Sequence, residues 1–257
     1  MNMPNNLVLG RGKLYFDRFA TGTLTKTGER YLGSTPAFSV SAETQELDHF
    51  SSEEGLQIKD ESVTLRIDYS ATLTIENIDA ANMALFFFGT SETATIAAAP
   101  AQTDNVTVLQ GMFYQLGMTP AKPEGVENVS NVVVAGSGGA PVYVAGTDYN
   151  VDLTLGRVEI IAGGGIADDT AIEIDYDVAA QTQERVVSGS SLIQGALRFI
   201  SYNGVGGQRN FYMPKVTMRP NGEFALKGEE WQNMGFNIEI LQAGSLANVF
   251  ATGRGVV

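Results

Sequence analysis

The sequence predicts a mainly β protein with one flanking helix and a small β-sandwich inserted into the chain. Two stretches alternate strictly between apolar and polar residues, which is typical of half-buried strands. Only one run has the caps and the composition of a helix. The middle of the chain is acidic and is divided into short strands by Gly-rich turns, as in a small β-sandwich.

The alternating stretches cover residues 36–47 and 63–75. Because successive side chains of a strand point to opposite faces, each stretch has one apolar and one polar face. The apolar face carries Phe38, Val40, Ala42, Val63, Leu65, Ile67, Tyr69, Ala71, Leu73 and Ile75. The polar face carries Ser39, Ser41, Glu43, Thr64, Arg66, Asp68, Ser70 and Thr72.

An acidic segment, residues 43–61, joins the two stretches and is predicted to be a long solvated loop or an extended hairpin. It contains seven acidic residues and Lys59 as its single basic residue. It also contains Leu47, Phe50, Leu56 and Ile58. A merely solvated loop does not need four large apolar side chains, so we expect some of them to become buried against a partner. Counterparts for the acidic residues are expected in the basic N-terminal part, at Arg11, Lys13, Arg18 and Arg30.

The helix is predicted to cover residues 80–88. Asp79 is placed to cap its N-terminus, and Gly89 is placed to end it.

Residues 101–182 are predicted to form an inserted Ig-like domain, and residues 1–100 and 183–257 a discontinuous main domain. The insert holds eleven acidic and two basic residues, so its net charge of −9 is most of the −13 of the whole chain. Small-residue passages at 93–103 and 178–182 are predicted to be linkers. Short strands are expected at 131–135, 142–144, 157–162 and 171–177.

Long strands are predicted to resume after the insert, at 184–202, 209–219, 222–229 and 232–242. Asn221-Gly222 is a strong signal for a tight turn and is expected to join two of these strands as a hairpin.

Composition excludes several functions. With 16 basic and 29 acidic residues the formal net charge is −13, so the chain gains nothing from counterion release over a broad phosphate surface. The absence of cysteine excludes disulfides and thiolate chemistry. The start of the chain has no signal-peptide pattern, and the longest apolar run, residues 83–88, is too short to span a membrane. We therefore expect a soluble protein that stays in the cell where it is made.

No motif predicts catalysis. His49 is the only histidine and is expected to be a solvated residue of the acidic segment. The carboxylate pairs Glu53–Glu54 and Asp168–Asp169 are expected in solvated turns, since adjacent strand residues point apart. The glycine runs at 136–139 and 204–207 lack the Gly-Lys-Ser/Thr ending of a phosphate-binding loop. We expect no enzyme activity, no cofactor and no metal.

Several stretches in order resemble one family. They are Tyr31-Leu32-Gly33-Ser34-Thr35-Pro36-Ala37-Phe38, Leu47-Asp48-His49-Phe50-Ser51-Ser52-Glu53, Lys59-Asp60-Glu61-Ser62-Val63-Thr64-Leu65, the helix from Asn77 to Gly89, and Lys215-Val216-Thr217-Met218-Arg219-Pro220-Asn221-Gly222. Together they resemble the major tail tube proteins of long-tailed (siphovirus-type) bacteriophages, over about residues 1–92 and 183–257. Gly146-Thr147-Asp148-Tyr149 and Gly156-Arg157-Val158 resemble the small Ig-like modules that decorate phage tails.

The resemblance implies a tail-tube β-barrel or sandwich and a structural role in the virion. Six subunits would form a ring whose strands join into one barrel, and the rings would stack into a tube. The tube would be assembled in the host cytoplasm around a tape measure protein, between tail tip and tail terminator proteins. It would later conduct double-stranded DNA into the host without tight binding and without a membrane contact.

The resemblance also implies roles for the two patterned regions. The channel would be lined by the polar face, namely Ser39, Ser41, Glu43, Thr64, Arg66, Asp68, Ser70 and Thr72. The loop that contacts the neighbouring ring would carry Leu47, Asp48, Phe50, Glu53, Glu54, Leu56 and Ile58.

Two other classes of protein share some of these features. An extracellular β-sandwich adhesin or pilin-like module would have the same strand content and insert, but it should carry an export signal. A carbohydrate-active enzyme would need paired carboxylates in a cleft and exposed aromatic residues, and Trp231 is the only tryptophan.

Overall fold

The computed structural model describes residues 7–51 and 55–254. The described chain divides into two compact units: unit 1 comprises residues 1–92 and 185–257, and unit 2 comprises residues 93–184. In chain order the elements are β1 (Gly12–Arg18), β2 (Arg30–Tyr31), β3 (Ala37–Ser51), β4 (Ile58–Ile75), α1 (Ala80–Phe86), β5 (Thr90–Ile96), β6 (Ala99–Val108), β7 (Phe113–Gln115), β8 (Val129–Gly136), β9 (Tyr149–Asp152), β10 (Arg157–Ile160), β11 (Thr170–Val178), β12 (Gln181–Val187), β13 (Ile193–Ser201), β14 (Arg209–Pro220), β15 (Met234–Ile240) and β16 (Phe250–Gly253). The mainly β prediction is confirmed.

Unit 1 is built on one antiparallel sheet with the strand order β2-β1-β13-β14-β15-β4-β3, and β16 pairs with β14 beside β15. The sheet curls, and a ring contact between distant strands shows this. Phe38 on β3 stacks on Phe199 of β13, with the ring centroids 6.0 Å apart. Three strands separate β3 from β13 in the sheet order. The expected barrel is not closed by the described chain, since β2 at one end has two residues and does not pair with β3 at the other.

The core of unit 1 lies on the concave side and follows the predicted alternation. Ala71, Leu73 and Ile75 of β4 are buried, as are the alternate residues Met234, Phe236, Ile238 and Ile240 of β15. These side chains belong to one cluster with residues from β1, β13 and β14. Burial of this apolar surface is the main force that holds the sheet together.

Helix α1 packs on this core through Leu85, and Phe86 meets Phe236 edge-on at 6.0 Å. The predicted cap is confirmed, because Oδ1 of Asp79 accepts a hydrogen bond from the Asn82 amide at 2.7 Å. The helix ends two residues earlier than predicted. Phe88, not Gly89, takes the left-handed conformation, with φ of 53°. Glycine is required at 89 for another reason: a Cβ there would collide with the carbonyl oxygen of Val187.

Unit 2 consists of two three-stranded sheets, β7-β10-β9 and β6-β11-β8. Their buried residues form one shared core, which includes Val134, Tyr149, Ile160 and Ile174. The strands at 129–136, 157–160 and 170–178 agree in type with the prediction. The expected strand at 142–144 is reduced to a single bridge between Val142 and Ala135.

The predicted linkers are wrong. Residues 93–96 belong to β5, residues 99–103 belong to β6, and residues 181–182 begin β12. Strands β5 and β12 pair with each other in a separate two-stranded sheet. Small residues alternating with threonine can form strands when a partner strand satisfies their backbone, and the returning chain supplies that partner.

Two predictions after the insert are also wrong. Residues 184–202 do not form one strand, because β12 ends at Val187 and β13 begins at Ile193. Residues 222–229 are not a strand, and Asn221-Gly222 does not close a tight hairpin. β14 is joined to β15 by a loop over residues 221–233, although Asn221 still begins a turn in which Gly222 has φ of 81°.

Candidate assembly surface

The acidic segment of the sequence is an extended hairpin. Strand β4 pairs with β15 only over residues 69–75, whereas it pairs with β3 along almost its whole length. Residues 43–51 and 58–68 therefore form a two-stranded arm that continues past the rest of the sheet, which we call the ribbon. Every described side chain of the ribbon is exposed except Ser51, which is half-buried.

Large apolar side chains are abundant on the ribbon. The exposed fraction is 62% for Leu47, 48% for Phe50, 60% for Ile58 and 75% for Leu56 in the connection at its tip. Val63, Leu65 and Ile67 are also more than half exposed. A single exposed leucine is ordinary, but seven large apolar side chains on one slender arm and its tip form an exposed apolar surface of the kind found at interaction sites.

The ribbon contains two β-bulges, and the first one exchanges its faces. Gln45 lies opposite Arg66, but the next residue, Glu46, lies opposite Thr64, so Leu65 is the extra residue. Residues directly opposite each other in an antiparallel pair share a face. Val63 therefore shares a face with Leu47 and not with Ile67. The thirteen-residue alternation of the sequence is continuous in β4 but does not describe one continuous face.

The bulge divides the residues predicted to line a channel. Seven of them share one face of β3 and β4: Ser39, Ser41, Glu43, Arg66, Asp68, Ser70 and Thr72. Thr64 lies on the other face with Glu46, because the extra residue shifts the register by one. Its prediction as a member of the same face is wrong.

Hydroxyl and charged pairs cover the seven-residue face. Ser39 and Thr72 are hydrogen-bonded across the strands at 2.7 Å, and so are Ser41 and Ser70. Further out, Arg66 and Asp68 form an ion pair at 2.6 Å. The result is a hydrated surface of small side chains whose charges are partly balanced.

An ion pair, Lys59–Asp48, and a hydrogen-bonded pair, His49–Asp60, lie near the tip of the ribbon. Nζ of Lys59 is 2.6 Å from Oδ1 of Asp48, and this hydrogen bond lowers the pKa of Asp48. Nδ1 of His49 is 2.6 Å from Oδ1 of Asp60, and the hydrogen bond lowers the pKa of that carboxyl group too. All four side chains are solvated, so these pairs are screened by salt and stabilise the tip only weakly.

The outer edge of the sheet is open along β3. This strand of 15 residues pairs with β4 on one side and is the last strand of the described sheet. Its outward N–H and C=O groups form a template for another strand. A long unpaired edge beside exposed apolar side chains is a surface on which other chains can pair.

The predicted basic counterparts fall into two classes. Arg18 donates a hydrogen bond to the carbonyl of Gly89 at 2.9 Å, and Arg30 donates one to Asn82 at 2.6 Å, so both serve the fold of their own unit. Burial lowers the pKa of both guanidinium groups. Arg11 and Lys13 are exposed. Of the four, these two remain available to a partner.

The other residues considered for chemistry lie in structural roles or outside the described chain. Asp168 accepts a hydrogen bond from the Gln110 amide at 2.8 Å, and Asp169 has φ of 60°, so this pair forms a turn. Glu53 and Glu54 lie outside the described residues. Within residues 7–51 and 55–254, no three carboxylate or imidazole groups gather as a metal site would require. The helix found in that same part of the chain is too short to cross a membrane.

Sequence reasoning missed two features of unit 1. The loop over residues 221–233 exposes Trp231 almost completely, and an apolar groove lies among Phe38, Phe199 and Phe211. A signal for the loop was present, since a lone tryptophan that follows two glutamates and precedes Gln232 and Asn233 rarely belongs to a core strand. The groove has no sequence signal, because strands distant along the chain form it.

A family model matches the chain. The model of a family described as "Protein of unknown function UCP028589" matches residues 7–253, which is nearly the whole chain. A search of curated proteins finds no match.

Proposed function

The chain belongs to the family UCP028589, and we propose that it is a structural virion protein, the major tail tube protein of a long-tailed bacteriophage. The observation that carries the proposal is the ribbon, an exposed apolar arm next to the open edge of β3. An exposed apolar surface and an unpaired sheet edge both favour association with a partner. Further copies of the chain can cover both at once.

In this proposal the open sheet becomes part of a closed barrel. Strand β3 of one copy pairs with the free edge near β1 of the next, and a ring closes when each copy has done so. Ring closure removes every exposed edge, which explains how a soluble protein tolerates a 15-residue edge strand. Six copies per ring is the number that the resemblance to tail tube proteins implies.

The channel is lined by the face that carries Ser39, Ser41, Glu43, Arg66, Asp68, Ser70 and Thr72. Its hydroxyl pairs and the Arg66–Asp68 ion pair favour a wet wall with little attraction for phosphate. The net charge of −13 opposes adhesion of DNA over the rest of the surface. Double-stranded DNA would pass without tight binding, after a tape measure protein had occupied the channel. A map of the assembled tube with Ile67 and Tyr69 in the channel would contradict this assignment.

Rings stack through the ribbon. The ribbon of one ring lies on the next ring, where Leu47, Phe50, Leu56 and Ile58 become buried and Arg11 and Lys13 meet its acidic residues. Tail tip and tail terminator proteins would cover the ribbons and their receiving surfaces at the two ends of the tube. Unit 2 would be an Ig-like decoration of the tube. The protein would be assembled in the host cytoplasm and reside in the phage tail.

Truncation of two ribbon residues tests the proposal. Phe50→Ala with Leu56→Ala should leave the melting temperature of the monomer nearly unchanged, because both side chains are largely exposed, and should abolish tubes in negative-stain micrographs. The matched control is Phe113→Ala with Leu155→Ala, which truncates one phenylalanine and one leucine at exposed positions of unit 2. The control should form normal tubes. Normal tubes from the ribbon variant would refute the stacking role.

A further inference from the structure

The loop over residues 221–233, between β14 and β15, is held firmly at its base. The Asn221 amide donates to the carbonyl of Gly235 at 2.9 Å, and the Gln232 side chain donates to the carbonyl of Ala225 at 3.0 Å. The ring of Phe224 packs on Phe86, with the centroids 5.7 Å apart. We call this segment the Trp loop. It is anchored before any partner arrives, so binding through it costs little conformational entropy.

The tip of the Trp loop presents two apolar side chains to solvent. Trp231 is 93% exposed and Leu226 is 77% exposed, the two highest values among the large apolar residues of the described chain. Tryptophan is the residue that most often dominates the binding energy of an interface. The Trp loop contains three acidic residues, Glu223, Glu229 and Glu230, and one basic residue, Lys227. The Trp loop is thus an acidic protrusion with an exposed aromatic side chain. Such a protrusion is complementary to an apolar cavity bordered by basic residues.

Unit 1 contains a cavity of that kind. A groove of about 700 Å³ is lined by Phe38, Val40, Phe199, Phe211 and Val249, with Arg11 among its borders. A neighbouring cavity of about 450 Å³ shares Phe199 and Phe211 with it and adds Arg209. The larger volume lies within the range of clefts that enclose compact aromatic ligands. No acidic side chain among the described residues lines either cavity.

We propose that the Trp loop of one copy inserts into the apolar groove of a second copy. Trp231 packs in the groove against Phe38 and Phe211, and Glu229 and Glu230 meet Arg209. The occupant is a second copy because the loop and the groove carry opposite charge and matching apolar surfaces. In its own copy Trp231 borders a different cavity, together with Ser34 and Glu76.

This contact rests on the proposed function in one respect, the association of copies. The contact joins two different surfaces, the Trp loop and the groove. Each copy has one of each, so the contact can repeat from copy to copy. It is separate from the ribbon, which neither lines the groove nor belongs to the Trp loop.

The fluorescence of the single tryptophan reports directly on whether the contact forms. Emission from an exposed indole shifts to shorter wavelength when the indole becomes buried, and Trp231 is the only tryptophan in the chain. We expect the emission of the full chain to shift to the blue as its concentration rises. Trp231→Ala, followed by sedimentation, should weaken association roughly 30-fold, the factor that corresponds to a hot-spot residue.

Two complementary variants locate the contact. The groove variant, Arg209→Glu with Val40→Glu, changes two exposed residues that the stacking contact does not use, keeps Trp231 and should show no shift by itself. Mixed with Trp231→Ala, which keeps an intact groove, it should recover the blue shift. The control, Arg219→Glu with Val142→Glu, changes the charge equally at exposed positions outside the groove and should behave as the unaltered protein does.

The outcomes separate this contact from the proposed function. A blue shift in the groove variant alone, or none in the mixture, would overturn the contact. Tubes that form without any change in emission would also overturn it and leave the proposed function intact. A shift that is restored in the mixture while no rings or tubes are seen would support the contact and count against the tube.

Discussion

At the scale of single residues, Asn82 connects the helix of unit 1 to two loops. Its side chain is fully buried, and its amide group donates to the carbonyls of Leu32 and Asn77 at 3.0 and 2.8 Å. Its Oδ1 accepts a hydrogen bond from Arg30 at 2.6 Å. No apolar side chain of similar size can replace these three hydrogen bonds.

Asn82→Leu should therefore lower the free energy of unfolding by about 2–3 kcal/mol, since it leaves buried carbonyl groups and a guanidinium group without partners. Urea unfolding of the full chain measures the change. Asn237→Leu, at an exposed position of β15, is the control and should change the free energy by less than about 0.5 kcal/mol. Equal effects at the two positions would show that the Asn82 hydrogen bonds do not stabilise unit 1.

In unit 2, Asp148 orders two turns. Its carboxylate accepts hydrogen bonds from the amides of Val144 at 2.8 Å and Gly165 at 2.7 Å, and these bonds lower its pKa. A carboxyl group with a lowered pKa in the folded state stabilises the fold fully above its unfolded pKa of about 3.9. The contribution is lost as the pH falls through the lower, folded value.

Asp148→Asn should accordingly reduce the stability of unit 2 at pH 7 and flatten its dependence on pH below about 4. Thermal unfolding between pH 2.5 and pH 7 measures both effects. Glu127→Gln, an exposed carboxylate of the same unit, is the control and should keep the slope of the unaltered protein. An unchanged acid slope in Asp148→Asn would show that this carboxylate is not linked to folding.

At the scale of elements, the bulge at Leu65 determines the shape of the ribbon. Its neighbours Thr64 and Arg66 already pair with the consecutive residues Glu46 and Gln45. Removing Leu65 would leave a regular ladder with the same pairs on both sides. A bulge increases the local twist of a strand pair, so its loss straightens the ribbon.

Deletion of Leu65 should thus preserve the melting temperature of the monomer and prevent regular stacking, because the tip of the ribbon would be aimed differently. Circular dichroism on dilute protein and micrographs of concentrated protein are the two measurements. Leu65→Thr keeps the bulge and serves as the control for loss of the side chain. Tubes of normal appearance from the deletion variant would show that the bulge does not aim a stacking element.

At the scale of the whole molecule, the two units have separate cores. Strands β5 and β12 lie where the chain passes from one unit to the other. The sequence-based boundaries, 101 and 182, fall inside β6 and β12. A deletion at those positions would remove two residues of β12 and leave part of β6 without its partner β11.

Replacing residues 97–180 by a short Gly/Ser bridge, with Ile96→Thr, should instead give a soluble protein that melts as unit 1 does and still forms tubes. Ile96 is changed because it packs against the core that is removed. Calorimetry and micrographs provide the measurements, and deletion of 101–182 is the comparison. A soluble, folded protein that never forms rings or tubes would show that unit 2 is part of the assembly and not a decoration.

Much of the fold could be predicted because it depends on local pattern. The alternation in β4 and β15 identified the buried residues Leu73, Ile75, Phe236 and Ile238, and Asp79 identified the start of the helix. Composition alone showed that the net negative charge is concentrated in the insert, because only two basic residues lie there. These properties follow from the period of a strand or a helix and from side-chain chemistry, which are encoded by neighbours in the chain.

The candidate surface was predicted only in outline. The apolar residues of the acidic segment were expected to meet a partner, and the structure shows them exposed on the ribbon. Thr64 was assigned to the wrong face because a bulge depends on the register with the partner strand, and the sequence of β4 shows no break at Leu65. The linkers were misassigned because β5 and β12 are strands only through their pairing with each other.

By itself, the sequence determined the class of the fold, the buried face of β15 and of the inner end of β4, the cap of the helix and the acidic character of the insert. Only the tertiary structure decided the open sheet edge along β3, the exchange of faces in the ribbon, the availability of Arg11 over Arg18, and the groove that could receive Trp231. The first set depends on interactions between residues near one another in the chain. The second depends on hydrogen bonds and packing between strands that are distant in sequence, where one extra residue changes every contact beyond it.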